Sequence, residues 1–124
     1  MAKTFLMLAA LSGALAVIIG AFGAHALKAR VAVDLLAVYE TGVQYHFYHT
    51  FALGIAGLLL IQFPQVVQFI WSGWAFVVGI VVFSGSLYLM ALTDMRWLGA
   101  ITPVGGFSFI LAWVLLAVGV YNNG

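Results

Sequence analysis

Cysteine is absent from the chain. That excludes disulfides, thiolate metal sites and cysteine nucleophiles. Charge is scarce too. Four basic and three acidic residues make up 6% of 124 positions, where a soluble domain carries roughly a quarter. So few charges cannot cover a water-facing surface, and lipid has to take that place. The net charge of +1 gives no footing for nucleic acid as a partner. Proline occurs only twice, as Pro64 and Pro103. Both fall where apolar runs stop or start.

What the chain has is apolar length, with 66% of its residues hydrophobic. A membrane-crossing helix needs roughly 20 mostly apolar residues. Four runs meet that need, at about 4–27, 43–62, 70–92 and 103–121. Together they leave room only for short loops. The expected fold is therefore an all-α integral membrane domain, a four-transmembrane-helix bundle over residues 1–124. Backbone groups in lipid must be satisfied within a segment, which selects helix. The second helix has two possible starts, at Val43 or earlier within Val33–Tyr39. Pro64 ends the second run, and Thr102-Pro103 caps and opens the fourth.

The first run also has features of a secretory signal, with Lys3 before it and Ala24-His25-Ala26 after it. It is longer than a signal core, so a retained helix is expected. Lys28 and Arg30 fall in the first connection and Arg96 in the third, against Lys3 alone on the other side. The positive-inside rule then places those two connections in the cytoplasm and both termini outside.

Small residues suggest how the helices pack. Ser12, Ala16, Gly20 and Ala24 recur every four residues and form a ridge for close approach of a neighbour. Such surfaces suit a membrane-protein partner or a homo-oligomer, with the lipid bilayer as the surrounding medium.

Polar residues gather at one side of the expected bundle. His25, Glu40, Gln44, Tyr45, His46, Tyr48 and His49 share it with Ser84, Ser86, Tyr88, Thr93, Asp94, Arg96 and Thr102. Ionisable groups within a span are costly and often functional. His46 and His49 lie three positions apart and face roughly the same way on a helix. With His25 they form a candidate metal site for zinc, copper or iron. With Tyr45, Tyr88 and Glu40 they form a candidate binding or proton-relay cluster, since imidazole titrates near neutrality. Structural anchoring of a span end is the competing reading. Glu40 points away from His49 on an unbroken helix and joins the cluster only if Gly42 breaks it. Otherwise it is placed to pair with Lys28 or Arg30. Asp94 and Arg96 read as a solvated turn. No acidic partner stands at a spacing that would make Ser84 or Ser86 a nucleophile.

Several segments carry a resemblance: Gly20-Ala21-Phe22-Gly23-Ala24-His25, the run Tyr45 to Leu53, Phe83-Ser84-Gly85-Ser86-Leu87-Tyr88, Ile101 to Gly106, and Trp113. Together they resemble a domain-of-unknown-function family of small membrane proteins typified by bacterial YgdD and YwdK, with transmembrane relatives in eukaryotes. The resemblance implies a multi-span protein of the bacterial cytoplasmic (inner) membrane. It includes His25, His46 and His49, and it implies no activity or cofactor. The expected function is that of a non-enzymatic accessory or binding protein. The alternative is a proton-, metal- or quinone-linked carrier or redox protein using the histidines at one membrane face.

Overall fold

The computed structural model describes residues 1–123. Helix α1 covers Ala2–His25 and is followed by a single 3-10 turn, Leu27–Ala29. Helix α2 covers Val33–Gln62. Helix α3, Val67–Gly79, runs through a π-helical turn, Ile80–Ser84, into α4, Gly85–Thr93. After a 3-10 turn at Arg96–Ala100, α5 covers Thr102–Asn123. Helix is the only regular structure among the described residues.

The three continuous stretches Ala2–Ala29, Val67–Thr93 and Arg96–Asn123 are long and apolar enough to cross a membrane. Helix α2 is longer than any of them, at 30 residues, but does not meet the same standard of apolarity. Glu40, Gln44, Tyr45, His46, Tyr48, His49 and Thr50 dilute its hydrophobic run. The packing accounts for this. Helix α2 is the central rod, and α1, α3, the π turn and α4 all pack on it. Much of its polar content therefore meets protein rather than surroundings, as with His46, His49 and Thr50, which are buried.

The rods alternate in direction. Phe5 of α1 packs on Gly73 near the start of α3, Leu6 meets Gly57 near the end of α2, and Phe69 meets Gly119 near the end of α5. Both chain ends thus lie at the same end of the bundle. A core of phenylalanine, leucine and alanine fills this end, with Phe5, Phe69 and Phe76 at its centre. A second cluster of Leu27, Leu35, Tyr39, Met90 and Leu98 closes the other.

That second end also carries the ion pairs. Arg96 bonds Asp34 at 2.8 Å and Asp94 at 2.9 Å, all three exposed. The solvated turn read from Asp94 and Arg96 gains a third member from the start of α2. The Arg96 hydrogen bond holds the Asp34 carboxyl below its ordinary pKa. Asp94 itself ends α4 in the left-handed conformation, φ 56°, which Asp tolerates better than most residues.

The start of α2 at Val33 has a large consequence. His46 lies about 20 Å from that start and about 24 Å from Gln62 at 1.5 Å per residue. His46 and His49 therefore sit at mid-height of the bundle, while His25 stays at the end of α1. The sequence reading placed them at a rim, on the assumption that the second rod begins near Val43.

Candidate functional site

His46 faces the seam between α1 and α4. The side chain is 2% exposed and both of its nitrogens are engaged. Nδ1 lies 2.8 Å from Tyr88 Oη on α4. Nε2 lies 2.9 Å from Ser12 Oγ on α1. Ser12 Oγ continues to Thr50 Oγ1 at 2.6 Å. The four side chains make one hydrogen-bonded row, Tyr88–His46–Ser12–Thr50, crossing from α4 over α2 to α1 and back to α2.

The backbone geometry that permits this row comes from small residues. A Cβ on Gly42 would meet Tyr88 Cε1 at 2.8 Å, so glycine lets the tyrosine ring lie flat on α2. Gly42 does not break the helix. Its carbonyl accepts a 2.8 Å bond from Ser84 Oγ, which sits in the π turn. Tyr39 packs at a tilt beside Tyr88, ring centroids 5.3 Å apart, and donates to the Ile19 carbonyl.

His49 faces a different seam. Three residues on, the helix has turned by about 60° short of a full circle, enough to aim it at α5. Its Nδ1–H donates to the Tyr45 carbonyl at 2.7 Å, and its Nε2 accepts from Trp113 Nε1–H at 3.1 Å. The ring stacks on Phe109 with centroids 3.5 Å apart and planes 8° from parallel. A carbonyl requires a donor on Nδ1, and an indole N–H requires an acceptor on Nε2. The surroundings thus specify one neutral tautomer. The lone pair that would bind a metal or a proton already belongs to Trp113. Trp113→Phe is expected to leave that nitrogen unpaired and to cost about 1 kcal/mol. Thermal unfolding, together with the ¹⁵N shift of His49 Nε2, checks this.

The remaining candidates sit apart from the row. Tyr45 packs against Phe83, ring centroids 4.6 Å apart, and gives His49 its carbonyl. His25 is exposed at the end of α1 and Glu40 is exposed on α2. Among the described residues, Glu40 has no ion-pair partner. Nor do three or more His, Asp or Glu come together there as a set able to hold a metal ion. Of the small-residue ridge, Ser12 joins the row, Ala16 is fully buried, Gly20 approaches Val43 and Ala24 is exposed. The approach to α2 passes instead to Gly23, where Tyr39 lies. A four-residue step overshoots the 3.6-residue turn, and over three steps the ridge rotates off the contact.

A groove of about 420 Å³ opens above the row. Leu11 and Leu15 of α1 form one wall, and Val77, Ile80 and Val81 of α3 and the π turn form the other. His46, Ser12 and Tyr88 line its base. Leu8 and Leu53 line it as well, as does Ile19. At Gly85 an added Cβ would meet nothing within 4 Å, so the groove contains open space there. Its volume falls in the range of small-molecule sites, roughly 300–1,000 Å³, and an apolar lining with a few polar groups is typical of them. π turns often occur at functional sites, and this one forms part of the wall.

Sequence alone does not reveal Ser12 as the partner of His46 or Thr50 as the partner of Ser12, because a small polar residue in a ridge looks like packing. A signal did exist for Trp113. The other three tryptophans suit a membrane interface, and Trp113 stands in mid-run.

Comparison with known proteins places the chain among relatives. The family described as "Protein of unknown function (DUF423)" matches residues 19–106. The UPF0382 membrane protein YwdK of Bacillus subtilis is 43% identical, over 94% of this chain and 94% of its own. A UPF0382 membrane protein of Staphylococcus saprophyticus is 43% identical, over 97% of this chain and 98% of its own. One from Staphylococcus aureus is 41% identical, over 97% of each. No solved structure matches significantly.

Proposed function

The chain belongs to the DUF423 family, whose relatives include bacterial membrane proteins, and from that premise we propose that it is a non-enzymatic binding protein of the bacterial cytoplasmic membrane. It crosses the bilayer four times and takes up a small apolar molecule in the groove over His46. Four alternating rods support the crossing number. α2, at 30 residues, is long enough, and its buried histidines would be shielded from lipid. Lys28, Arg30 and Arg96 sit around one end of the bundle and Lys3 at the other. By the positive-inside rule, both termini then lie outside.

The observation that carries the binding reading is the pairing of an apolar groove with a buried polar row at its base. Hydrocarbon flanks such a groove in a bilayer, so a ligand would enter from the side. Its polar head would then hydrogen-bond at the hydroxyl of Tyr88 or Ser12, both nitrogens of His46 being engaged.

Gly85→Leu tests this. Gly85 has helical dihedrals, φ −59° and ψ −43°, so leucine is tolerated by the backbone and its side chain fills the open space. Protein purified in native-lipid discs is expected to retain a stoichiometric small molecule, identified by mass spectrometry of extracts. The Gly85→Leu protein should fold and lose it. A wild-type extract no different from that of Gly85→Leu would sink the reading.

A further inference from the structure

We infer that the groove takes an isoprenoid quinone and its quinol alternately, and that the Tyr88–His46–Ser12–Thr50 row reverses direction between them. This rests on the groove reading and names its ligand class.

The row has two consistent proton arrangements. In one, Thr50 donates to Ser12, Ser12 donates to His46 Nε2, and His46 Nδ1–H donates to Tyr88 Oη. The Tyr88 hydrogen is then released from His46 and can be donated to a groove ligand or to the neighbouring Ser84 hydroxyl. In the other, Tyr88 donates to His46 Nδ1, His46 Nε2–H donates to Ser12, and Ser12 donates to Thr50. Tyr88 then offers the groove only lone pairs. The distances of 2.8, 2.9 and 2.6 Å suit both arrangements. Hydroxyls donate and accept, and neutral imidazole carries its proton on either nitrogen. His46 itself does not fix the choice, because both its partners are hydroxyls.

The contrast with His49 is informative. A carbonyl and an indole lock that ring in one tautomer. Two histidines on the same helix therefore have opposite designs, one fixed and one reversible. The reversible one lies under the groove.

A ligand that always presents a carbonyl needs only a fixed donor. One that always presents a hydroxyl used as donor needs only a fixed acceptor. A row that can serve as either suits a ligand whose polar atom changes from acceptor to donor while the rest stays put. A quinone carbonyl that becomes a quinol hydroxyl is that case. The long apolar walls suit the isoprenoid tail. The row rearranges to match each form, and the interconversion of the two is not assigned to this protein.

The test uses the full chain with ¹⁵N-labelled histidine in lipid discs, given a short-tailed benzoquinone or the corresponding benzoquinol. Magic-angle-spinning NMR reads the tautomer at each ring. His46 is expected as Nδ1–H with the quinone and Nε2–H with the quinol, while His49 stays Nδ1–H throughout as an internal reference. Tyr88→Phe is expected to weaken both ligands about three- to tenfold, the worth of one hydrogen bond. Binding of both ligands with His46 in one unchanging tautomer would overturn the inference. So would failure of either to bind while Gly85→Leu still displaces a native lipid, an outcome that leaves the groove reading intact. If neither probe binds and Gly85→Leu displaces nothing, both readings fall together.

Discussion

Replacing His46 with leucine is expected to destabilise the bundle by about 1–2 kcal/mol and to abolish binding in the groove. The row loses its two central bonds, to Tyr88 and to Ser12. Interhelical hydrogen bonds in membranes average about 0.6 kcal/mol, with the strongest near 1.7. Ser12 and Thr50 keep their own 2.6 Å bond, so the damage is confined to the α4 side. His46→Gln restores a donor and an acceptor in one side chain and should recover most of the stability. It should not recover reversible pairing, because an amide cannot exchange its two ends without rotating. Unfolding in mixed detergent micelles, run on all three proteins, separates these effects. A leucine variant as stable as wild type and still loaded with ligand would show that the row is only packing.

Gly105→Ala should be more harmful still, by about 3 kcal/mol, at the upper end of the usual cost of overpacking. A Cβ there would stand 2.3 Å from the Phe83 nitrogen and 2.7 Å from its Cα. Both atoms are backbone, in the π turn, and cannot rotate aside. To relieve the clash, α5 must move off α3, which strains the bonds from Ser72 to the Ala112 carbonyl and from Ser108 to the Ala75 carbonyl, 2.7 Å each. Gly106 is the internal control. An alanine there meets the Phe83 ring at 3.8 Å, an ordinary contact, and should be nearly neutral. Equal thermal midpoints for the two variants would contradict the close approach of α5 to the π turn.

All four rods were legible as apolar runs, at about 4–27, 43–62, 70–92 and 103–121, because hydrocarbon solvation demands such runs wherever a helix faces outward. The second is diluted by polar residues and does not reach the apolarity that the other three helices have. Its His46, His49 and Thr50 face neighbours that only the assembled bundle supplies, while Glu40, Gln44, Tyr45 and Tyr48 stay exposed. The sequence allowed it to begin at Val33 or at Val43, and the packing of Leu35 and Tyr39 in the second cluster selects Val33. That choice moves His46 and His49 from a rim to mid-height and leaves His25 at the end of α1.

Within the site, residue types were easier to read than their partnerships. His46, His49, Tyr45 and Tyr88 stood out because polar rings in an apolar run are costly. That the two histidines diverge into separate seams depends on helices lying on both sides of α2. No local pattern reveals that. Ser12 looked like a spacer because its hydroxyl matters only once α1 is rotated against His46. The π turn left no sequence signal, since it arises from how α3 and α4 join beside Gly105. Glu40 and His25 were grouped with the cluster by their height along the chain. Their exposure separates them from it.

The central claim is that a polar row lies at mid-depth in hydrocarbon beneath a groove open to lipid. The chain has no cysteine, so a single nitroxide can be attached through Val81→Cys, on the groove wall and near the middle of the Val67–Thr93 rod. Collision rates with oxygen and with a water-soluble nickel chelate then report its depth in a bilayer. High oxygen and very low nickel accessibility, corresponding to the bilayer centre, is the expected result. A position at the headgroups, with frequent nickel collisions, would contradict the account.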